Sequence, residues 1–172
     1  MGFELAASEV ELHIRDRPRA AAIPRQLTIL TANLKNPFTL LGRESREALI
    51  ARLETFARSV EMHRADILLC QEVGRAQDFR VDGWLATRLS FSHCYLRANG
   101  HADPLGREEG LAIFSRFPPA QPAACLLGGG SWRRPALGAS VHTTFGDVDV
   151  FAAHLSLRPW RNRRQIPRLR QW

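Results

Sequence analysis

Residues 65–73 read Ala-Asp-Ile-Leu-Leu-Cys-Gln-Glu-Val, a continuous apolar run closed by an amide and a carboxylate. A short run of that kind suits a strand covered on both faces, as in a parallel sheet. Residues 26–34 (QLTILTANL) have the same character: Leu27, Ile29 and Thr31 fall on one side, Thr28, Leu30 and Ala32 on the other. Between the two runs Asn36-Pro37 signals a turn. Leu49, Leu53, Phe56 and Val60 then recur at three- and four-residue spacing, mostly opposite Arg46, Glu47, Arg52, Glu54, Arg58 and Glu61. That spacing predicts an amphipathic helix over residues 45–63, with Ser45 as its N-cap. Strand, helix and strand make a βαβ unit, whose strands run parallel through a right-handed crossover.

Outward from this unit the pattern changes to strands and turns with no second long helix. Strands are predicted over residues 92–96, 110–116, 123–127, 137–145 and 147–155, the last two forming a hairpin around Gly146-Asp147. Residues 99–109 and 128–135 read as polar or glycine-rich loops. Residues 1–25, punctuated by Pro18 and Pro24, read as an extended or poorly ordered lead-in, with the domain proper over 26–172.

At 172 residues, 45% hydrophobic and 24% charged, the chain is neither disordered nor a coiled coil. Its three cysteines, Cys70, Cys94 and Cys125, are too widely spaced for a zinc site and odd in number. They read as buried apolar residues in a reducing compartment. No apolar run approaches the ~20 residues of a membrane-spanning helix. The first 20 residues carry no secretory pattern, so the cytoplasm is the default location. The net charge of +7 is built from arginine, with Lys35 the single lysine. Six arginines and no acid lie in residues 158–172, so the other 157 residues carry only +1.

Three apolar segments end in residues that can do chemistry: Asn33, then Gln71 and Glu72, then His154. In open α/β sheets ligand groups gather at the carboxyl ends of strands. Singly, each has an ordinary structural reading: a turn-forming Asn, a solvated Glu at a loop entry, a satisfied core His. Together they suit phosphate chemistry. Mg²⁺ needs only one or two carboxylates, the rest of its shell being water and phosphate oxygens. Glu72 can supply that carboxylate, Asn33 can orient a phosphate oxygen, and His154 can donate to phosphoryl oxygens as charge develops. Arg133 and Arg134, beside Trp132, are either exposed loop residues or contacts for a substrate phosphate.

The residues 65–73 also resemble a segment of the endonuclease/exonuclease/phosphatase superfamily, in which an Asp-apolar-apolar strand ends in Gln-Glu. LTILTANL (residues 27–34) is similar to its first strand with the active-site Asn. EGLAIFSRFP (109–118) resembles its G-apolar-AI-apolar-S-R-x-P segment, and VDVFAAHLSL (148–157) its His-Leu strand. Arg161, Arg164-Gln165 and Leu169 resemble the start of the helix that follows. The four segments occur in family order. The resemblance implies an α/β (α+β), deoxyribonuclease I-like four-layer sandwich of two packed mixed sheets with outer helices. It implies Mg²⁺ or Mn²⁺ on Glu72, Asn33 positioning metal and phosphate, and His154 stabilising the phosphoryl transition state. The implied reaction is hydrolysis of a phosphodiester in nucleic acid or a phospholipid head group.

The superfamily pattern continues with a Gly-Asp-x-Asn segment and a terminal Asp-His pair, and neither occurs at its expected place here. The expectation is therefore the N-terminal part of a phosphohydrolase, impaired or inactive alone, incomplete at the C-terminus, with an uncovered sheet face and strand edge inviting self-association. Two other readings stand beside it. One is a non-catalytic remnant or subunit binding a partner through the same fold. The other is a nucleic-acid-binding module using the arginine-rich end, with Trp160 and Trp172 stacking on bases, against an amphipathic helix with a solvated basic face.

Overall fold

The structure, a computed structural model, describes residues 4–15, 26–39, 42–99, 101–128, 133–143 and 145–172. Residues 129–132 of the glycine-rich loop, Trp132 among them, and residues 16–25 of the predicted lead-in fall outside them. In chain order the strands are β1 Glu4–Leu5, β2 Val10–His13, β3 Ile29–Asn33, β4 Phe38–Thr39, β5 Gly42–Arg43, β6 Ile67–Ala76, β7 Phe79–Arg80, β8 Ser92–Arg97, β9 Glu108–Ser115, β10 Pro119–Gly128, β11 Arg134–Thr143 and β12 Gly146–Ala153. The helices are α1 Arg46–Met62, α2 Val81–Leu89 and α3 Pro159–Gln171.

The βαβ unit forms as the apolar runs require. Ser45 caps α1, its side chain accepting from the Ala48 amide, and Leu49, Leu53, Ala57 and Val60 turn inward. β3 and β6 pair in parallel, from Ile29 opposite Ile67 to Asn33 opposite Gln71. The first sheet runs β2-β8-β9-β6-β3, with β7 hydrogen-bonded to β6, and is otherwise antiparallel. The second sheet runs β1-β10-β11-β12, all antiparallel, with β11 and β12 forming the expected hairpin.

Strand alternation sorts the core into three layers of side chains. On β9, Ala112 and Phe114 face α1 and α2, while Leu111 and Ile113 face the second sheet. There they meet Ala124, Leu137, Ala139, Val141, Val150 and Ala152. On the far side of the second sheet, Cys125, Leu127 and Ala136 are covered by Leu169 and Trp172 of α3 and its end. Helix, sheet, sheet and helix are the four layers expected. All three cysteines are buried and unpaired.

Three features depart from the sequence reading. Two pieces of the lead-in are strands: β1 joins the edge of β10, and β2 joins β8, with Glu11 held by Arg75 and Arg80. α2 went unseen because it is nine residues long, holds Gly83, and begins at Arg80 without a side-chain cap. It buries Asp82, which forms a two-point ion pair with buried Arg75. α3 continues through Pro167, although proline lacks the amide that a helix interior uses. Trp172 packs edge-on against Phe151, so it is not available as a stacking surface.

β11 lies over β9, and β12 over β6 and β9, so both sheets end at the same flank of the sandwich. At that flank neither β3 nor β12 has a second neighbour among the described residues. Ile29, on the inter-sheet side of β3, is 42% exposed there. No helix among the described residues is long and apolar enough to cross a membrane.

Candidate phosphoesterase site

The carboxyl ends of β3 and β12 and the middle of β6, which runs on past Glu72 to Ala76 rather than ending there as the sequence suggested, bring the three predicted residues together. Asn33 Nδ2 donates to Glu72 Oε1 at 2.8 Å, and His154 Nε2 lies 3.6 Å from the same oxygen. β12 belongs to one sheet and β3 and β6 to the other, so the site spans the mouth between the two sheets.

Glu72 owes its position to a break in alternation. Cys70 and Val73 both face the helices, although residues three apart in a regular strand face opposite ways. The register of β6 against β9 shifts between them, and Glu72 takes φ +52°. This is a β-bulge with a non-glycine residue in the left-handed region, a conformation costing on the order of 1–2 kcal/mol. Without the bulge Glu72 would point at α1. With it, the carboxylate is free to face Asn33 and His154. Strain of this kind persists where surrounding structure holds it, and it concentrates at functional sites.

Asn33 is held from both ends of its amide. While Nδ2 binds Glu72, Oδ1 accepts from the Lys35 amide at 2.8 Å. The Leu34 amide donates to the Gln71 carbonyl at 2.9 Å, extending the parallel ladder one residue past β3. Arg52 of α1 braces this turn, donating from Nη1 to the Leu34 carbonyl at 2.7 Å while gripping Glu44 with Nε and Nη2. The Arg52 charge holds the Glu44 carboxyl below its ordinary pKa through that hydrogen bond. Gly74 permits the next part of the loop to lie against β6: a Cβ there would sit 2.5 Å from Asn36 Oδ1 and 2.8 Å from Pro37 Cδ. Asn36 Nδ2 also donates to Glu109 Oε2 at 3.1 Å.

Arg52, Gly74 and Asn36 were missed in the sequence because their work is done on backbone and loop, which no motif spacing records. Gln71 turns aside from the site: its Nε2 donates to Thr31 Oγ1 and to the Leu69 carbonyl, both at 3.1 Å. Arg133 is not brought to Glu72, being paired at 3.2 Å with Glu9, the residue before β2. Arg134 pairs across β11 with Gly128, on the side of that strand away from β12.

The donor set fits a divalent ion of the Mg²⁺ or Mn²⁺ kind. Glu72 Oε1 is engaged, while Oε2 has no partner among the described residues, and the carboxylate is partly exposed. Among the described residues no three His, Cys, Asp or Glu side chains cluster as an all-protein cage. One carboxylate with open space around it is the arrangement Mg²⁺ accepts and Zn²⁺ does not.

One mixed sheet packed face to face on a second that is antiparallel throughout rather than mixed as expected, helices on both outer sides, and an amide, carboxylate and imidazole at their shared mouth define the deoxyribonuclease I-like class. Residues 30–172 match the family model for the Endonuclease/Exonuclease/phosphatase family, and the chain belongs to that family. Solved structures agree on the fold. An endonuclease/exonuclease/phosphatase family protein from Leptotrichia buccalis C-1013-b superposes with TM-score 0.66 at 14% identity, covering 85% of this chain and 62% of that one. An endonuclease/exonuclease/phosphatase from Beutenbergia cavernae DSM 12333 gives 0.65 at 19% identity, covering 82% and 42%. D. rerio TDP2, in complex with a single-strand DNA product, gives 0.58 at 16% identity, covering 84% and 52%. The chain thus spans about half the length of these structures. No curated protein matches it.

Proposed function

We propose that the Asn33–Glu72–His154 site takes part in metal-dependent hydrolysis of phosphodiesters. The observation that carries this reading is the approach of two side chains, Asn33 and His154, to one oxygen of the Glu72 carboxylate, from strands of two different sheets. Glu72 would hold the ion through its unpartnered oxygen. A bound Mg²⁺ or Mn²⁺ would polarise the phosphoryl group for in-line attack by water.

The side chains divide the remaining work. Asn33, with its amide committed at both ends, fixes the Glu72 carboxylate at one orientation. His154 Nε2 faces the same space and donates to a phosphoryl oxygen as negative charge develops on it. Arg52 acts through the backbone, holding the Leu34 carbonyl and so the turn that orients Asn33. Family membership supports phosphoester chemistry. The TDP2 structure with a DNA product makes a nucleic-acid strand one substrate to try.

The test is hydrolysis of bis(4-nitrophenyl) phosphate with Mg²⁺ or Mn²⁺. Activity abolished in Glu72→Gln and reduced about 10²–10³-fold in His154→Ala is the expected result. Hydrolysis unchanged in Glu72→Gln would overturn the assignment.

A further inference from the structure

The arginine-rich end acquires a definite geometry in α3. Asn162, Gln165, Leu169 and Trp172 form its inward stripe, with Gln165 buried, and Arg168 caps the Leu127 carbonyl. Arg158, Arg161, Arg163, Arg164, Arg168 and Arg170 are all exposed. Several arginines elsewhere are neutralised, Arg52 by Glu44, Arg75 by Asp82 and Glu11, Arg88 by Glu54 and Glu61, Arg97 by Glu108, whereas Arg46, Arg58 and Arg64 stand dispersed on and after α1 without an ion pair among the described residues. None of the six on α3 has an acidic partner among the described residues. The acids on the outer face of the same sheet, Asp147 and Asp149, are occupied by His142 and Ser140.

This charge lies beside the site. Arg158 is the fourth residue after His154, so their Cα atoms are at most about 14 Å apart. The connection is tied down, the Ser156 amide donating to Gln165 Oε1 and the Arg158 amide to Ser156 Oγ. At the near end of the helix Trp160 is 54% exposed, with the Arg161 guanidinium 4.9 Å from its ring centre. Arg163 and Arg170 recur at seven-residue spacing along the outward side, about 10 Å apart, with Arg164 beside them, while Arg161 and Arg168 flank the inward stripe.

We propose that the outward face of α3 binds the phosphate backbone of a single nucleic-acid strand and leads it toward the Glu72 site, a proposal that rests on the phosphodiesterase reading above. Guanidinium forks match phosphate oxygens in two-point geometry. An exposed Trp set among them offers a base a stacking surface, as strand-binding grooves do. A bilayer is the poorer fit, because α3 turns Leu169 and Trp172 into the protein and leaves only Trp160 and Ile166, with Leu157 before the helix, as exposed apolar side chains among six arginines. A surface helix on a membrane does the reverse.

The experiment is fluorescence anisotropy of a labelled 20-nucleotide single DNA strand with the full chain, in EDTA so that no hydrolysis occurs. If all six arginines engage, affinity falls about 300-fold between 50 and 200 mM salt, and about 20-fold in Arg163→Gln/Arg164→Gln/Arg170→Gln. The triple variant changes only exposed side chains and keeps the fold, checked by circular dichroism. An equal removal of charge from exposed positions on and after α1, Arg46→Gln/Arg58→Gln/Arg64→Gln, leaves binding intact. Four results overturn the proposal: no strand binding at 50 mM salt, no salt dependence, equal loss in both triple variants, or binding only to phosphatidylserine vesicles. Glu72→Gln separates the two claims. Strand binding kept with hydrolysis unaffected sinks the catalytic assignment alone, whereas hydrolysis of bis(4-nitrophenyl) phosphate without strand binding sinks the α3 surface alone.

Discussion

Replacing Asp66 tests how the fold places the site. This side chain is almost fully buried at the start of β6, where Oδ2 accepts from the Thr28 amide at 3.0 Å and Oδ1 faces Arg116 Nε at 3.3 Å. Its own backbone is used twice: its amide donates to the Thr28 carbonyl and its carbonyl accepts from the Arg116 amide, each at 2.8 Å. One residue thus joins the entry to β3, the start of β6 and the segment after β9. The parallel register is counted from that clamp, five pairs along, to Asn33 opposite Gln71. β3 has only β6 beside it among the described residues, so this clamp anchors the start of a register that Thr31, Leu34 and Asn33 continue on β6. Asp66→Ala leaves the Thr28 amide without a partner and removes a charge-assisted hydrogen bond, about 1.5–3 kcal/mol. The ion pair adds at most ~1 kcal/mol because Arg116 is substantially exposed. A loss of about 3 kcal/mol corresponds to a urea midpoint lower by roughly 1.5 M at a slope of about 2 kcal/mol/M. Asp66→Asn keeps an acceptor and loses about 1 kcal/mol. Equilibrium urea unfolding followed by circular dichroism measures both. A loss under 1 kcal/mol for Asp66→Ala, or equal losses for the two variants, would refute the clamp.

Other predictions follow from the buried charges and thiols. Asp82→Ala strands the Arg75 guanidinium in the core and destabilises by about 3–5 kcal/mol in the same unfolding assay. Burial alone would raise the Glu11 carboxyl, but hydrogen bonding and charge from Arg75, with His13 and Arg80, bring it from 4.5 down to about 2. A carboxyl depressed in the folded state contributes stability above pH 4.5 that is lost as pH falls toward 2, so Glu11→Gln should flatten the fall in urea midpoint across that window. Burial pushes the Cys70 and Cys94 thiols up to about 12 and Cys125 to about 11, so all three resist a thiol reagent until urea unfolds the chain. Reaction of any of them in the folded protein would contradict the packing.

The sequence carried the fold wherever side-chain period decided it. The apolar runs of β3 and β6, the α1 stripe from Leu49 to Val60 and the β11–β12 hairpin were all legible, because burial writes itself into spacing. α2 and β2 were not: α2 is short, uncapped and interrupted by Gly83, with Asp82 buried on Arg75, and β2 is tied in through Glu11 to Arg75 and Arg80. An ion pair formed across 64 residues leaves no local pattern. Of the site, the residues Asn33, Glu72 and His154 could be named from their strand ends. What could not be read was how Glu72 reaches them. Alternation alone directs it toward α1, and only the bulge between Cys70 and Val73 turns it into the mouth between the sheets. Nor could the tether of Arg133 to Glu9 be seen, because it joins residues 124 positions apart.

The central claim is that Glu72 holds a divalent ion beside Asn33 and His154, and paramagnetic line broadening by Mn²⁺ tests it most directly. At substoichiometric Mn²⁺ the account predicts selective loss of the NMR signals of the Asn33 side-chain amide, the Glu72 amide and the His154 ring, with Asp82 and Glu11 untouched, and no such loss in Glu72→Gln. Broadening centred on other carboxylates, or persisting unchanged in Glu72→Gln, would contradict it.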